Sequence, residues 1–317
     1  MTFDEISTNE WQTLDSAHHM APFTDYGDLR QKGARIITHA EGHYIYDSDG
    51  NRILDGMAGL WCVNVGYGRP ELVEAAATQM TKLPYYNNFF RTSNQPVAEL
   101  SAKLAEITPD GLSNVFYANS GSEANDTIIR MVRHYWALEG KPEKRVIISR
   151  DFGYHGSTIM SASMGGMSGM HEQAANEPDF AHIRPPYGFL HQGNQDEAEF
   201  AANAASWLDD KINEIGASNV AAFVAEPIQG AGGVIVPPAG YFKHIQEICR
   251  RHDILFVADE VITGFGRTGH WFASQTMELE PDMMALAKGL TSGSVPMSAV
   301  MVGDRVANKL VADGGAC

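Results

Sequence analysis

The chain has 317 residues, of which 44% are hydrophobic and 20% charged, and its 39 acidic against 23 basic side chains give a formal net charge of −16. That composition is globular rather than disordered, and the length allows one large α/β domain with part of a smaller one. So acidic a surface argues against a nucleic-acid partner, and no apolar run is long enough to span a membrane as a helix. The three cysteines, Cys62, Cys249 and Cys317, are scattered and form no C-x-x-C pair, so neither a disulfide framework nor a metal site is expected. The first ten residues carry acids instead of a basic, apolar export pattern, and a reducing cytoplasm is the expected location.

In chain order, a hairpin is the first clear element. Tyr44 to Asp47 and Arg52 to Asp55 flank a turn containing Asp49-Gly50. From about residue 70 helical and short apolar segments alternate. Pro96 to Ile107 reads as an amphipathic helix, Asn114 to Tyr117 as a strand and Ser122 to Trp136 as a helix. Arg145 to Ser149, Val220 to Ala225 and Ile254 to Ala258 read as buried strands, with a helix over Tyr241 to His252. Ser161 to Met170, rich in Gly, Ser and Met, reads as a mobile loop. The rhythm predicts an α/β fold with a mostly parallel sheet and helices on both faces, whose ligands sit at the carboxyl ends of the strands.

Four stations lie at such ends. Ser120-Gly121-Ser122 begins a helix with Ala124, Ile128, Met131 and Tyr135 on one face; its free N–H groups suit a phosphate, or Ser120 is simply an N-cap. Tyr154, between Gly153 and Gly156, can stack on a flat ligand or be a half-buried turn residue, and His155 beside it reads as structural. Asp259 follows an apolar strand and can keep a ligand nitrogen protonated, or it caps a helix; Val261 offers an apolar surface to a ring. Lys288 ends the apolar run from Met284 and can form a Schiff base when partly desolvated, or it snorkels from a strand. Asp259 and Lys288 are 29 residues apart, room for a loop and one strand.

These stations resemble, in order and sequence, the class III (omega) aminotransferases of pyridoxal-phosphate (PLP) fold type I, over about residue 10 to the end. The segments carrying the resemblance are Leu54 to Cys62, Tyr85 to Phe90, Asn119 to Asn125, Gly153 to Gly156, Ala225 to Gly233 and Asp259 to Arg267. The first is similar to the amine:pyruvate (beta-alanine:pyruvate) branch. The resemblance implies PLP as cofactor. Lys288 would form the Schiff base and shuttle a proton between substrate and cofactor carbons, and Asp259 would pair with the pyridine nitrogen. Ser120, Gly121 and Ser122 would hold phosphate, and Tyr154 and Val261 would sandwich the ring. His155 would also border the cofactor. Glu226 resembles an acid near the substrate entrance. Phe23, Leu60, Trp61, Phe89, Tyr154, Ala231 and Ile262 would shape the substrate pocket, with Phe89 coming from the second subunit of a homodimer. An apolar Ile262, where ornithine-type relatives carry Gln, points to an amine donor with pyruvate as acceptor, in a ping-pong reaction giving alanine.

The resemblance further implies a division into residues 1–68, an N-terminal segment of a small domain, and 69–317, a large cofactor-binding domain. Family members are usually longer. The expectation is a C-terminally truncated chain that lacks a phosphate-capping Thr and a carboxylate-binding Arg and has little activity alone. Rival readings are an inactive or partly folded fragment, another fold type I enzyme, and an NAD-dependent dehydrogenase. The last rests on Gly264-Phe265-Gly266-Arg267-Thr268-Gly269, which matches G-x-G-x-x-G but lacks the expected acid about 20 residues on.

Overall fold

A computed structural model describes residues 6–173 and 176–315. The chain divides into two compact units, Met1–Pro84 and Tyr85–Cys317.

The first unit starts with the helix Thr8–His18, where Ser7 and Glu10 form a capping box, followed by the helix Tyr26–Lys32, capped by Asp25. A three-stranded antiparallel sheet follows in the order β1 (Ile37–Glu41), β2 (Tyr44–Asp47), β3 (Arg52–Leu54). The β2–β3 pair is the expected hairpin. Asp47 closes its turn, accepting from the backbone N–H groups of Asp49 and Asn51 and from the Asn51 amide. The helix Pro70–Lys82, started by proline at its first position, belongs to this unit although it lies beyond residue 68.

The second unit is built on a seven-stranded sheet. Its strands are β4 (Leu112–Ala118), β5 (Val146–Arg150), β6 (Phe180–Ile183), β7 (Val220–Ala225), β8 (Leu255–Asp259), β9 (Met283–Leu286) and β10 (Ser298–Gly303). The order is β4-β10-β9-β8-β7-β5-β6, and only β10 runs against its neighbours, so the sheet is mostly parallel as expected. Strands buried on both faces read as nearly continuous apolar runs, which is why β7 and β8 were legible. Their residues alternate between two cores. Ala222, Val224, Leu255 and Val257 pack on one face with Ala124, Ile128, Val132 and Trp136 of the helix Gly121–Leu138. Phe223, Ala225 and Phe256 pack on the other with the helices Glu197–Ile215 and Tyr241–Arg251. Each fully buried Leu, Ile or Phe contributes about 1.5–3 kcal/mol.

One expectation fails. Ser161 to Met170 is not a mobile loop: it contains the helices Ile159–Met164 and Ser168–His171, and Ser161, Ala162, Ser163 and Met164 are buried. Thr158 caps the first helix through Ser161 N, and Ser149 Oγ donates to Met164 O, so the small residues allow close packing instead of mobility. No helix among the described residues is long and apolar enough to cross a membrane.

Candidate active site

The carboxyl ends of β4, β5, β7, β8 and β9 open on one cavity of about 370 Å³ in the second unit, a size ordinary for a small-molecule site. Nine residues singled out from the sequence line it: Ser120, Gly121, Ser122, Tyr154, His155, Glu226, Asp259, Val261 and Lys288. Ile262 lines it as well.

At the β4 end the helix Gly121–Leu138 begins. Ser120 is its N-cap, its Oγ accepting from Glu123 N at 3.2 Å, so the plain capping reading holds. The same helix start faces the cavity, and its unpaired N–H groups and dipole favour an anion there. Ser122 Oγ accepts from Ser157 N at 3.0 Å, tying this turn to the loop after β5. That loop comes so close that a Cβ on Gly156 (φ +145°) would stand 2.3 Å from Ser161 Oγ and 2.6 Å from Ser122 Oγ. Only glycine fits there.

Asp259, the last residue of β8, is buried. Its Oδ2 accepts from His155 Nδ1 at 2.7 Å and from Asn125 Nδ2 at 2.9 Å, and its Oδ1 from Val261 N at 3.1 Å. Against a carboxylate, His155 carries its proton on Nδ1. Its role is therefore to orient Asp259. Glu226, just past β7, was expected near an entrance. The carboxyl is buried in the cavity wall, Oε1 accepting from Tyr154 N at 3.1 Å and Oε2 from Gly230 N at 2.8 Å. Burial, reinforced by Asp259, pushes its pKa above the usual carboxylate range, while His155 opposes the shift. Glu226 thus anchors the backbone that carries Tyr154. Burial also raises the pKa of the Tyr154 phenol.

Lys288 is half-buried and sits two residues past β9 with φ +46°, a left-handed backbone that a non-glycine residue adopts at a cost of about 1 kcal/mol or more. Lys288 lines the cavity just beyond the end of β9. Glu260, next to Asp259, has a different role. It is buried and accepts from Thr263 Oγ1, Ala273 N, Ser274 N and Ser274 Oγ, stitching down the loop that follows.

That loop contains the glycine motif of the dehydrogenase reading. Residues 264–269 form turns and do not open a helix, so the motif lacks the strand–turn–helix setting that dinucleotide binding needs. Phe89 and Ala231 lie in the second unit but are exposed and outside the cavity wall. Phe23, Leu60 and Trp61 lie in the first unit, where Phe23 and Leu60 are exposed and Leu60 and Trp61 are consecutive left-handed residues (φ +76° and +61°). Asn125 was missed. Its signal was a polar residue next to Ala124 on the buried side of an otherwise apolar helix face. Thr291 and Val295 to Met297, also missed, come from a turn with no distinctive pattern.

A flat ligand with an anionic end, a ring nitrogen and a reactive carbonyl would find matching groups here: a helix N-terminus with two serines, a buried carboxylate and a half-buried lysine. The profile of the class-III aminotransferases matches residues 28–316. A putrescine–pyruvate aminotransferase of Pseudomonas aeruginosa is 58% identical over 304 residues, 96% of this chain and 67% of that protein. The chain thus spans about two thirds of the length of such relatives. The structure of a thermostable (S)-enantioselective omega-transaminase from Thermomicrobium roseum superposes with a TM-score of 0.95 at 40% identity, covering 98% of this chain and 70% of that one. The omega transaminase of Pseudomonas jessenii, solved in complex with PMP, gives 0.93 at 41% identity, covering 96% and 69%. The chain belongs to the class-III aminotransferase family, and its fold is that of the omega-transaminases.

Proposed function

We propose that this cavity holds pyridoxal phosphate and that the protein moves an amino group from an amine donor to pyruvate. The observation that carries the reading is the convergence of Asp259, Lys288 and the Ser120–Ser122 helix start on one cavity. When bound, the cofactor supplies a carbonyl carbon that accepts an amine and a ring that takes up electron density. The residues do the rest. Backbone N–H groups at Gly121 and Ser122, with the Ser122 hydroxyl, bind the phosphate. Asp259 keeps a proton on the ring nitrogen. Tyr154 and Val261 flank the ring. Lys288 Nζ would provide the amine that anchors the cofactor, and once displaced by the donor it would carry a proton between a substrate carbon and a cofactor carbon.

The similarity to a putrescine–pyruvate aminotransferase supports an amine donor and pyruvate as acceptor. The apolar Ile262 supports a donor without a charged group at that wall. Gly230 leaves room for it, since a Cβ there would lie 2.4 Å from Ile262 Cδ1. The reading includes a homodimer, with the exposed Phe89 on its shared surface.

Incubation with pyridoxal phosphate should give a yellow protein whose cofactor borohydride fixes covalently. Lys288→Ala should leave nothing fixed. A cofactor still fixed in that variant would sink the assignment of Lys288. Alanine formation from pyruvate with putrescine, beta-alanine or an aralkyl amine then tests the substrates; transfer to 2-oxoglutarate alone would overturn the choice of pyruvate.

A further inference from the structure

The two oxygens of a carboxylate offer four acceptor places between them. On Asp259 three are taken: both on Oδ2, by Asn125 and His155, and one on Oδ1, by the Val261 N–H. The remaining place is on Oδ1. Asn125 is what fills the second place on Oδ2, and it comes from the helix Gly121–Leu138, 134 positions away in sequence.

Asn125 is itself unusual. It is 1% exposed, both hydrogens of its Nδ2 are used, to His155 O at 2.7 Å and to Asp259, and its Oδ1 has no partner among the described residues. A buried amide with an orphaned acceptor gains by turning over when a donor is near. Here turning would set Oδ1 against a carbonyl and a carboxylate, two acceptors that repel it. Asp259 and the His155 carbonyl thus dictate the amide's orientation.

We propose that Asn125 is a positioning residue that, by saturating Asp259 Oδ2, leaves the carboxylate a single open acceptor place on Oδ1 and so makes the site select a ring bearing one N–H. This rests on the pyridoxal-phosphate reading above. A residue that merely packed the helix onto the sheet would act on any ligand of that shape. A residue that positions Asp259 acts only on a ligand with a ring nitrogen.

The test compares dissociation constants, read by absorbance, for pyridoxal phosphate and its carbocyclic analogue with C–H in place of the ring nitrogen. Asn125→Leu, with the same number of side-chain heavy atoms but bulkier methyls, and Asn125→Ala, smaller and free of clash, are both measured. The expected result is a loss of about tenfold or more for pyridoxal phosphate, the range for a hydrogen bond to a charged group, with the analogue unchanged within about threefold. Equal losses for both ligands, or no loss for either, overturn the role of Asn125 and leave the cofactor assignment standing. A wild-type protein that binds neither ligand overturns that assignment and this inference with it.

Discussion

In Met1–Pro84, Asp47 is the one buried residue among those described, whereas in Tyr85–Cys317 buried apolar side chains run along the strands of the sheet and gather into three clusters. The two units are organised by different forces. In the first, local polar contacts set the shape: the Ser7–Glu10 box, the Asp25 cap, the Asp47–Asn51 turn and the Tyr67 hydroxyl on Asp55. In the second, apolar burial on both faces of a sheet creates a rigid platform, and every polar side chain of the candidate site stands at the edge of it. Catalytic groups need such a platform, because their geometry has to survive thermal motion.

The largest expected effect lies in the second unit. Trp136 is fully buried and donates from Nε1 to Ala221 O at 2.9 Å. Trp136→Ala should cost about 3–5 kcal/mol of stability by urea unfolding. Next comes Glu260→Ala, which leaves three buried donors and a serine hydroxyl unpaired; a loss of about 2–3 kcal/mol is expected, with faster proteolysis of residues 261–274. Full resistance of that segment to protease would show that the loop does not depend on Glu260.

Two pairs of carboxylates, one pair in each unit, should contribute to stability with opposite pH dependence. Burial raises the pKa of Glu226 and of Glu260. The unfolded forms ionise first, so the native state holds more protons and stability falls as pH rises from about 4.5 towards the raised values. Asp47 is lowered by its bonds from Asn51, and Asp55 by Tyr67. There the unfolded forms take up protons first, and stability is lost as pH falls below the ordinary aspartate value of 3.8. Amide exchange, corrected for its intrinsic pH dependence, should show Glu226→Gln flattening the decline above about pH 4.5 in the second unit and Asp47→Asn flattening the acid loss in the first. The same sign of change from both substitutions would break the contrast. The smallest effect is Val73→Ala, on an exposed helix face, expected to change stability by less than about 0.5 kcal/mol. A loss approaching that of Trp136→Ala would mean that the first unit hides a core of its own.

Much of the platform was legible in the sequence. Residues 220–225 and 254–258 announced strands because a sheet covered on both faces needs unbroken apolar runs, and the helix after Ser120 announced itself through its cap and its buried face. Asp259 and Lys288 could be singled out because each ends such a run. What only the tertiary structure decided concerns partners. The reversed direction of β10, the burial of Glu226, the packing of Ser161 to Met164 and the grip of Asn125 and His155 on Asp259 all depend on groups distant in sequence, 134 and 104 positions apart for the last two pairs. Periodicity and capping are local and appear in a single sequence. Which donor meets a buried carboxylate is settled when separate elements pack, and no local pattern records it.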